Sequence, residues 1–171
     1  IGLAYIAASV REAGHKVSFI DSSGSAPRQY HDFNGIRLRG LTNQEIISKI
    51  PKDTQVIGLS CMFTSHWVYV RELVAEIRSH FPDAFIMMGG EHVTGFPEYS
   101  MNQAPLDAVV TGEGEETVVE ILNRTSKNQS LEEVHGVVYR DSDSNIIVNP
   151  RRNRISNIDS IPYPAWALLN I

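Results

Sequence analysis

Three short clusters in this chain of 171 residues combine small and polar side chains in a way that suits a ligand site. They are Ser60-Cys61-Met62-Phe63-Thr64-Ser65, Gly89-Gly90-Glu91-His92-Val93-Thr94-Gly95 and Thr111-Gly112-Glu113-Gly114-Glu115-Glu116-Thr117. Glycine lets a ligand come close to the backbone. Hydroxyls, an imidazole and carboxylates can then orient it through hydrogen bonds. Several of these residues also have plainer roles. Cys61 follows an apolar run with no base beside it in sequence, so it reads as a small buried hydrophobe, not a nucleophile. Gly112 to Thr117 spells G-x-G-x-x-T, which is not a dinucleotide fingerprint, and its acids would repel a pyrophosphate. Glu115 and Glu116 suit the first turn of a helix through its dipole. His92 either reaches a ligand or caps a turn. Trp67 and Met87 read as core, and Arg151, Arg152 and Arg154 as a solvated run.

The elements that must position these clusters alternate along the chain. Gly2 to Val10 has helical periodicity, with Leu3, Ile6, Ala7 and Val10 on one stripe and Gly14 as its stop. Lys16 to Asp21 reads as a short strand, and Ser22 to Gly40 as a long aperiodic loop. Thr42 and Glu45 form a capping box ahead of Ile46, Ile47 and Ile50. Val56 to Leu59 is a continuous apolar run, the mark of a strand covered on both faces. Trp67, Val70, Leu73, Val74, Ile77 and Phe81 then fall at helical spacing, and Pro82 ends the run. Phe85 to Met88 and Leu106 to Val110 read as further strands, with a short helix over 97–103 and another over 115–123. This alternation predicts a doubly wound parallel α/β sheet, and its ligand would lie beyond the carboxyl ends of the strands, where the three clusters fall. A β-hairpin over 136–149 and an extended connector from Pro150 to Trp166 follow. The expected division is 1–126 for the Rossmann-like, flavodoxin-like domain, 127–150 for the hairpin extension and 151–171 for the connector.

The chain already reads as a helix from its first residues, so the first strand of such a sheet is expected before Ile1. With strand order 2-1-3-4-5, Lys16–Asp21 would lie about 10 Å from Val56–Leu59, two strand spacings away, and would not pair with it directly.

Composition narrows the function further. Apolar residues make up 42% and charged residues 20%, which is core enough for a folded domain and excludes a disordered chain. A net charge of −5 argues against a nucleic-acid module. The chain has no apolar run long enough to span a membrane. The single cysteine, Cys61, can form no internal disulfide and cannot alone hold zinc or an iron–sulfur cluster, so a reducing cytoplasmic setting is expected.

Taken in order, Gly2-Leu3-Ala4-Tyr5, Gly89-Gly90-Glu91-His92-Val93-Thr94, Gly112-Glu113-Gly114-Glu115-Glu116-Thr117 and Pro162-Tyr163-Pro164-Ala165-Trp166 resemble the N-terminal cobalamin-binding domain of cobalamin-dependent radical SAM proteins. These include proteins labelled as relatives of magnesium-protoporphyrin IX monomethyl ester oxidative cyclase or as Fe-S oxidoreductases. A second pattern of cobalamin-binding proteins, S-x-L followed at a set distance by G-G, is met by Ser60-Cys61-Met62 and Gly89-Gly90, with Met in place of Leu and 26 residues, Phe63 to Met88, between. The resemblance implies that the nucleotide tail of cobalamin enters a slot beside the sheet, with Ser60 bonding the benzimidazole and Gly89 and Gly90 keeping the slot open. The cofactor-binding residues it implies are Ser60, Cys61, Met62, Thr64, Gly89, Gly90, Glu91, His92, Thr94, Gly112, Glu113, Gly114 and Glu115. It assigns no catalytic residue and no metal ligand within this chain.

D-x-H-x-x-G, whose histidine ligates cobalt in many cobalamin proteins, does not occur, and neither does the radical SAM cluster motif C-x-x-x-C-x-x-C. The resemblance therefore implies a cobalamin module that works in cis with a radical SAM domain carrying a [4Fe–4S] cluster and S-adenosylmethionine. The parent would be an enzyme of methyl transfer or of radical ring closure or rearrangement, and the partners would be cobalamin and that domain, with no nucleic acid and no membrane span. The alternatives are the nucleotide-sugar-binding half of a glycosyltransferase, which could use the G-G-x-H turn and the acidic loop, and a non-catalytic cobalamin-sensing module.

Overall fold

In the computed structural model, which describes residues 2–169, the amphipathic and doubly apolar segments take the forms their patterns predict. Helix α1 (Gly2–Glu12) buries Ala4, Ala7, Ala8 and Val10 and stops where Gly14 adopts φ +90°. The segment expected to be a strand, Lys16–Asp21, is extended but pairs with nothing as a strand. Its apolar side chains pack all the same, with Val17 and Phe19 on the α1 side and Ile20 against the opposite core. Helix α2 (Ser22–Ser25) is capped by Asp21, whose carboxylate accepts from Gly24 N at 2.9 Å.

The stretch expected to be an aperiodic loop holds a hairpin, β1 (Tyr30–Phe33) with β2 (Ile36–Arg39). Its turn is Asn34-Gly35, with φ angles of 49° and 81°, as a type I′ turn demands. Helix α3 (Asn43–Lys49) starts on the capping box: Glu45 N donates to Thr42 Oγ1 at 3.3 Å, and Thr42 N donates to Glu45 Oε2 at 2.8 Å. That backbone bond, helped by Gln29 and the Thr42 hydroxyl, holds the Glu45 carboxyl below its usual range. There follow β3 (Val56–Ser60), α4 (Trp67–His80), β4 (Phe85–Gly89), α5 (Glu91–Gly95), α6 (Pro97–Gln103), β5 (Ala108–Val110), α7 (Glu115–Thr125), β6 (Val137–Arg140) and β7 (Ile146–Val148).

The main sheet runs β3-β4-β5-β6-β7, with β3, β4 and β5 parallel and the last two strands antiparallel. The C-terminal hairpin thus continues the sheet, with Val110 opposite Val137. Side chains alternate between two cores. Ile57, Ile86, Met88 and Val109 face α3, α4 and α6. Val56, Met87, Ala108 and Val110 face α1 and α7. Arg78, near the end of α4, joins the amino ends of the layers: it donates to the carbonyls of Pro82, Ala84 and Pro105 and pairs with Asp107 at 2.5 Å. Among the described residues, β3 has a strand neighbour on one side only. Lys16–Asp21 does not pair with it.

Candidate functional site

The parallel register sets Ser60 opposite Gly89 and Gly58 opposite Met87, so Gly58, Ser60 and Gly89 share the face that carries α1 and α7. There the cover is incomplete. Met87 is buried, but Gly58 is exposed and Ser60 and Gly89 are only half-buried. A Cβ built on Gly89 would come no nearer than 3.8 Å to any neighbour, the Val110 carbonyl oxygen, and one on Gly58 no nearer than 3.8 Å to Met87 Cε. The result is a shallow trough floored by bare backbone with one hydroxyl in it. A flat, partly apolar group could lie there, and side chains at the two glycines would fill it.

Gly89 and Gly90 divide the work that the sequence gives them jointly. Gly90 has φ +107° and ψ 170°, a region that is essentially glycine-only. A Cβ there would sit 2.5 Å from the Cys61 carbonyl oxygen. Gly90 thus lets two loops touch, while Gly89 keeps the trough clear. Cys61 N donates to Gly89 O at 2.9 Å, and His92 N donates to Cys61 O at 3.2 Å. Cys61 itself is buried, which pushes its thiol pKa up and keeps it protonated.

His92 is buried beneath the loops, not displayed on them. Its ring stacks on Trp67 with centroids 4.7 Å apart, and Nδ1 lies 3.1 Å from Thr64 Oγ1. Burial lowers its pKa, so the ring is neutral at pH 7. Nε2 is buried without a partner. Thr94 Oγ1 accepts from Gly112 N at 3.2 Å and so ties the second loop to the third. Met62 and Phe63 are exposed on the rim, as is Glu91.

In the third loop Gly112 takes φ +73°, and a Cβ on Gly114 would meet Ile6 Cδ1 at 3.0 Å, so both glycines serve backbone geometry and helix packing. Glu115 opens α7. The Glu113 carboxylate is engaged with the connector, accepting from Ile155 N at 2.7 Å. Arg152, expected in a solvated run, is half-buried and donates through Nε to Thr117 Oγ1 at 2.8 Å. The reading of the sequence also missed Gly58. A lone glycine inside an apolar strand signals close approach by another group, and that signal was available. Among the described residues no three His, Cys, Asp or Glu side chains converge as metal ligands would.

A mostly parallel sheet with helices on both faces, a glycine-floored trough and three cross-tied loops at its carboxyl end is the architecture of an α/β ligand-binding domain. The family model of the B12 binding domain matches residues 1–122, and the chain belongs to that family. An uncharacterized methyltransferase of Pyrococcus horikoshii is 35% identical over 99% of this chain and 34% of its own length. Anaerobic magnesium-protoporphyrin IX monomethyl ester cyclase of Rubrivivax gelatinosus is 25% identical over 98% of this chain and 28% of its own length. Among solved structures, the cobalamin-dependent S-adenosylmethionine radical enzyme OxsB, with aqua-cobalamin and S-adenosylmethionine bound, superposes with a TM-score of 0.62 and 25% identity, over 72% of this chain and 17% of that one. The chain spans about a third of the curated relatives it matches. No helix among the described residues is long and apolar enough to cross a membrane.

Proposed function

We propose that the trough over Gly58, Ser60 and Gly89 takes the nucleotide tail of cobalamin, and that the chain serves as the cobalamin module of a radical SAM enzyme. The bare floor beside Ser60 is the observation that carries this reading, because a Cβ at Gly89 would meet nothing nearer than the Val110 carbonyl oxygen at 3.8 Å. Ser60 holds the benzimidazole through its hydroxyl. Gly89 admits the ring, and the loop tips with Met62, Thr64, Glu91 and Thr94 border the corrin. Cys61, Gly90, His92, Gly112 and Gly114 shape the loops from below. His92, neutral and turned to Thr64, steadies that hydroxyl without ligating cobalt.

When bound, cobalamin supplies a cobalt centre that can carry a carbon group. This chain's residues would hold it by its tail and position it over the strand ends. The [4Fe–4S] cluster and S-adenosylmethionine belong to a radical SAM domain of the same protein, to which residues 151–171 lead from the domain at 1–126 and its extension at 127–150. Methyl transfer, or a radical ring closure of the cyclase type, is the reaction class that the two relatives support. A reduced cytoplasmic protein fits the lone buried thiol.

The test is a spectrophotometric titration with hydroxocobalamin of the full-length protein and its Gly89→Leu variant. A saturable spectral change in the wild type, weakened at least tenfold in the variant with unchanged circular dichroism, supports the reading. Equal binding by both proteins, or none by the wild type, overturns it.

A further inference from the structure

We propose that residues 151–165 form a strap locked to the third strand-end loop, with Glu113 and Arg152 as the positioning residues of the lock. The chain leaves the sheet at Pro150, whose carbonyl accepts from Gly136 N at 2.8 Å. Two residues on, Arg152 inserts against α7. Its Nε donates to Thr117 Oγ1, and its guanidinium pairs with Glu116 at 3.4 Å and with Glu120. Thr117 is fully buried and donates in turn to the His135 carbonyl at 3.2 Å, so Arg152 fastens to a fixed acceptor and not to a mobile surface group. Ile155 N then donates to Glu113 Oε2 at 2.7 Å. The far end is fastened to the other helix: Ala165 N donates to Ala4 O at 2.9 Å, and Ala165 is buried against Ala7 and Ala8. Between these ends Ile155, Ile161 and Pro162 roof a cleft of about 450 Å³ over α1 and α7.

Glu113 matters because of what its own loop touches. Gly112, beside it, has its N–H held by Thr94 of the second loop, which is in turn joined to the first by the bonds of Gly89 O and His92 N to Cys61. A continuous set of hydrogen bonds therefore runs from the ligand end of the sheet to the segment that leads out of the domain. Along this path a ligand that orders the loops also orders the strap, and by linkage the fastened strap then favours the ligand by the same factor. This coupling to cobalamin rests on the function proposed above, whereas the lock does not.

Hydrogen–deuterium exchange of the full-length protein, with and without hydroxocobalamin, tests both. Glu113→Ala should speed exchange at Ile155 about tenfold, the scale of one hydrogen bond to a charged group, and speed the 111–115 peptide as well. Glu113→Gln, which keeps an acceptor oxygen, should restore most of the protection. Arg152→Ala, which removes hydrogen bonds made only to α7, should loosen strap and loop together. The α3 peptide should not change in any variant. Unchanged exchange at Ile155 in Glu113→Ala, or a uniform rise that includes α3, overturns the lock. Hydroxocobalamin should slow strap exchange in the wild type and not in Glu113→Ala; a cobalamin that binds by its visible spectrum and leaves the strap unchanged overturns the coupling. If no cobalamin binds, the function proposed above fails, and exchange of the ligand-free variants still decides the lock.

Discussion

Gly89 and Gly90 are adjacent and chemically identical, yet the structure expects opposite results when each gains a side chain. At Gly90 two costs add. The backbone lies at φ +107°, ψ 170°, where a non-glycine residue pays about 1–3 kcal/mol. The new Cβ would also lie 2.5 Å from the Cys61 carbonyl oxygen. That oxygen cannot retreat cheaply, because Cys61 is held at N by Gly89 O at 2.9 Å and at O by His92 N at 3.2 Å. Gly90→Ala is therefore expected to cost roughly 3 kcal/mol or more, the strain alone accounting for up to that amount. For a domain of this size, at roughly 2–4 °C per kcal/mol, the midpoint of thermal unfolding falls by about 6–12 °C. Gly89→Ala meets nothing closer than 3.8 Å and replaces a glycine at the last position of β4, so it should be neutral or stabilising by about 0.4–1 kcal/mol. Thermal unfolding followed by circular dichroism reads both. A Gly90→Ala protein as stable as wild type, or a Gly89→Ala protein several degrees less stable, would refute the division of roles between the two glycines.

Three further outcomes follow from the same geometry. Burial lowers the His92 pKa, so the unfolded chain binds the proton more readily. The contribution of His92 is full above the unfolded pKa near 6.5 and is lost as pH falls through the lower folded value, so urea midpoints should drop toward pH 5 and drop less steeply in His92→Gln. In the cob(II)alamin form, the EPR spectrum should show no nitrogen splitting that His92→Ala removes, since Nδ1 faces Thr64 and the ring is packed on Trp67. Arg78→Ala strips donors from three carbonyls and the partner from Asp107, which also accepts from Ile86 N; a loss of about 2 kcal/mol in urea unfolding is expected, and a loss under 0.5 would contradict the bonding described.

The parallel strands and the long helices were legible because each carries a pattern: Trp67 to Phe81 shows a helical stripe, and Val56 to Leu59 and Phe85 to Met88 are continuous apolar runs, the second buried on both faces and the first only at Ile57. The trough was legible in part. Ser60 and Gly89 stood out by type and spacing, but that they share a face with Gly58 depends on the parallel register, which no local pattern states. Lys16–Asp21 has strand composition and is no strand, because pairing is decided by a neighbour and not by propensity. The hairpin at 30–39 was hidden by its polar, half-exposed strands, although Asn34-Gly35 was a usable turn signal. Arg152 looked solvated beside Arg151 and Arg154; only the fold brings Thr117, Glu116 and Glu120 to it. The bond from Ile155 N to Glu113 was hidden for the same reason, since the two are distant in sequence.

The claim on which the account turns is that the tail of cobalamin, and not only its corrin, is held by this domain. Titrating the full-length protein in parallel with cobalamin and with cobinamide, which lacks the nucleotide tail, tests it directly. The account expects cobalamin to bind at least tenfold more tightly than cobinamide, and Gly89→Leu to erase that difference by weakening cobalamin alone. Equal affinity for the two in the wild-type protein would contradict it.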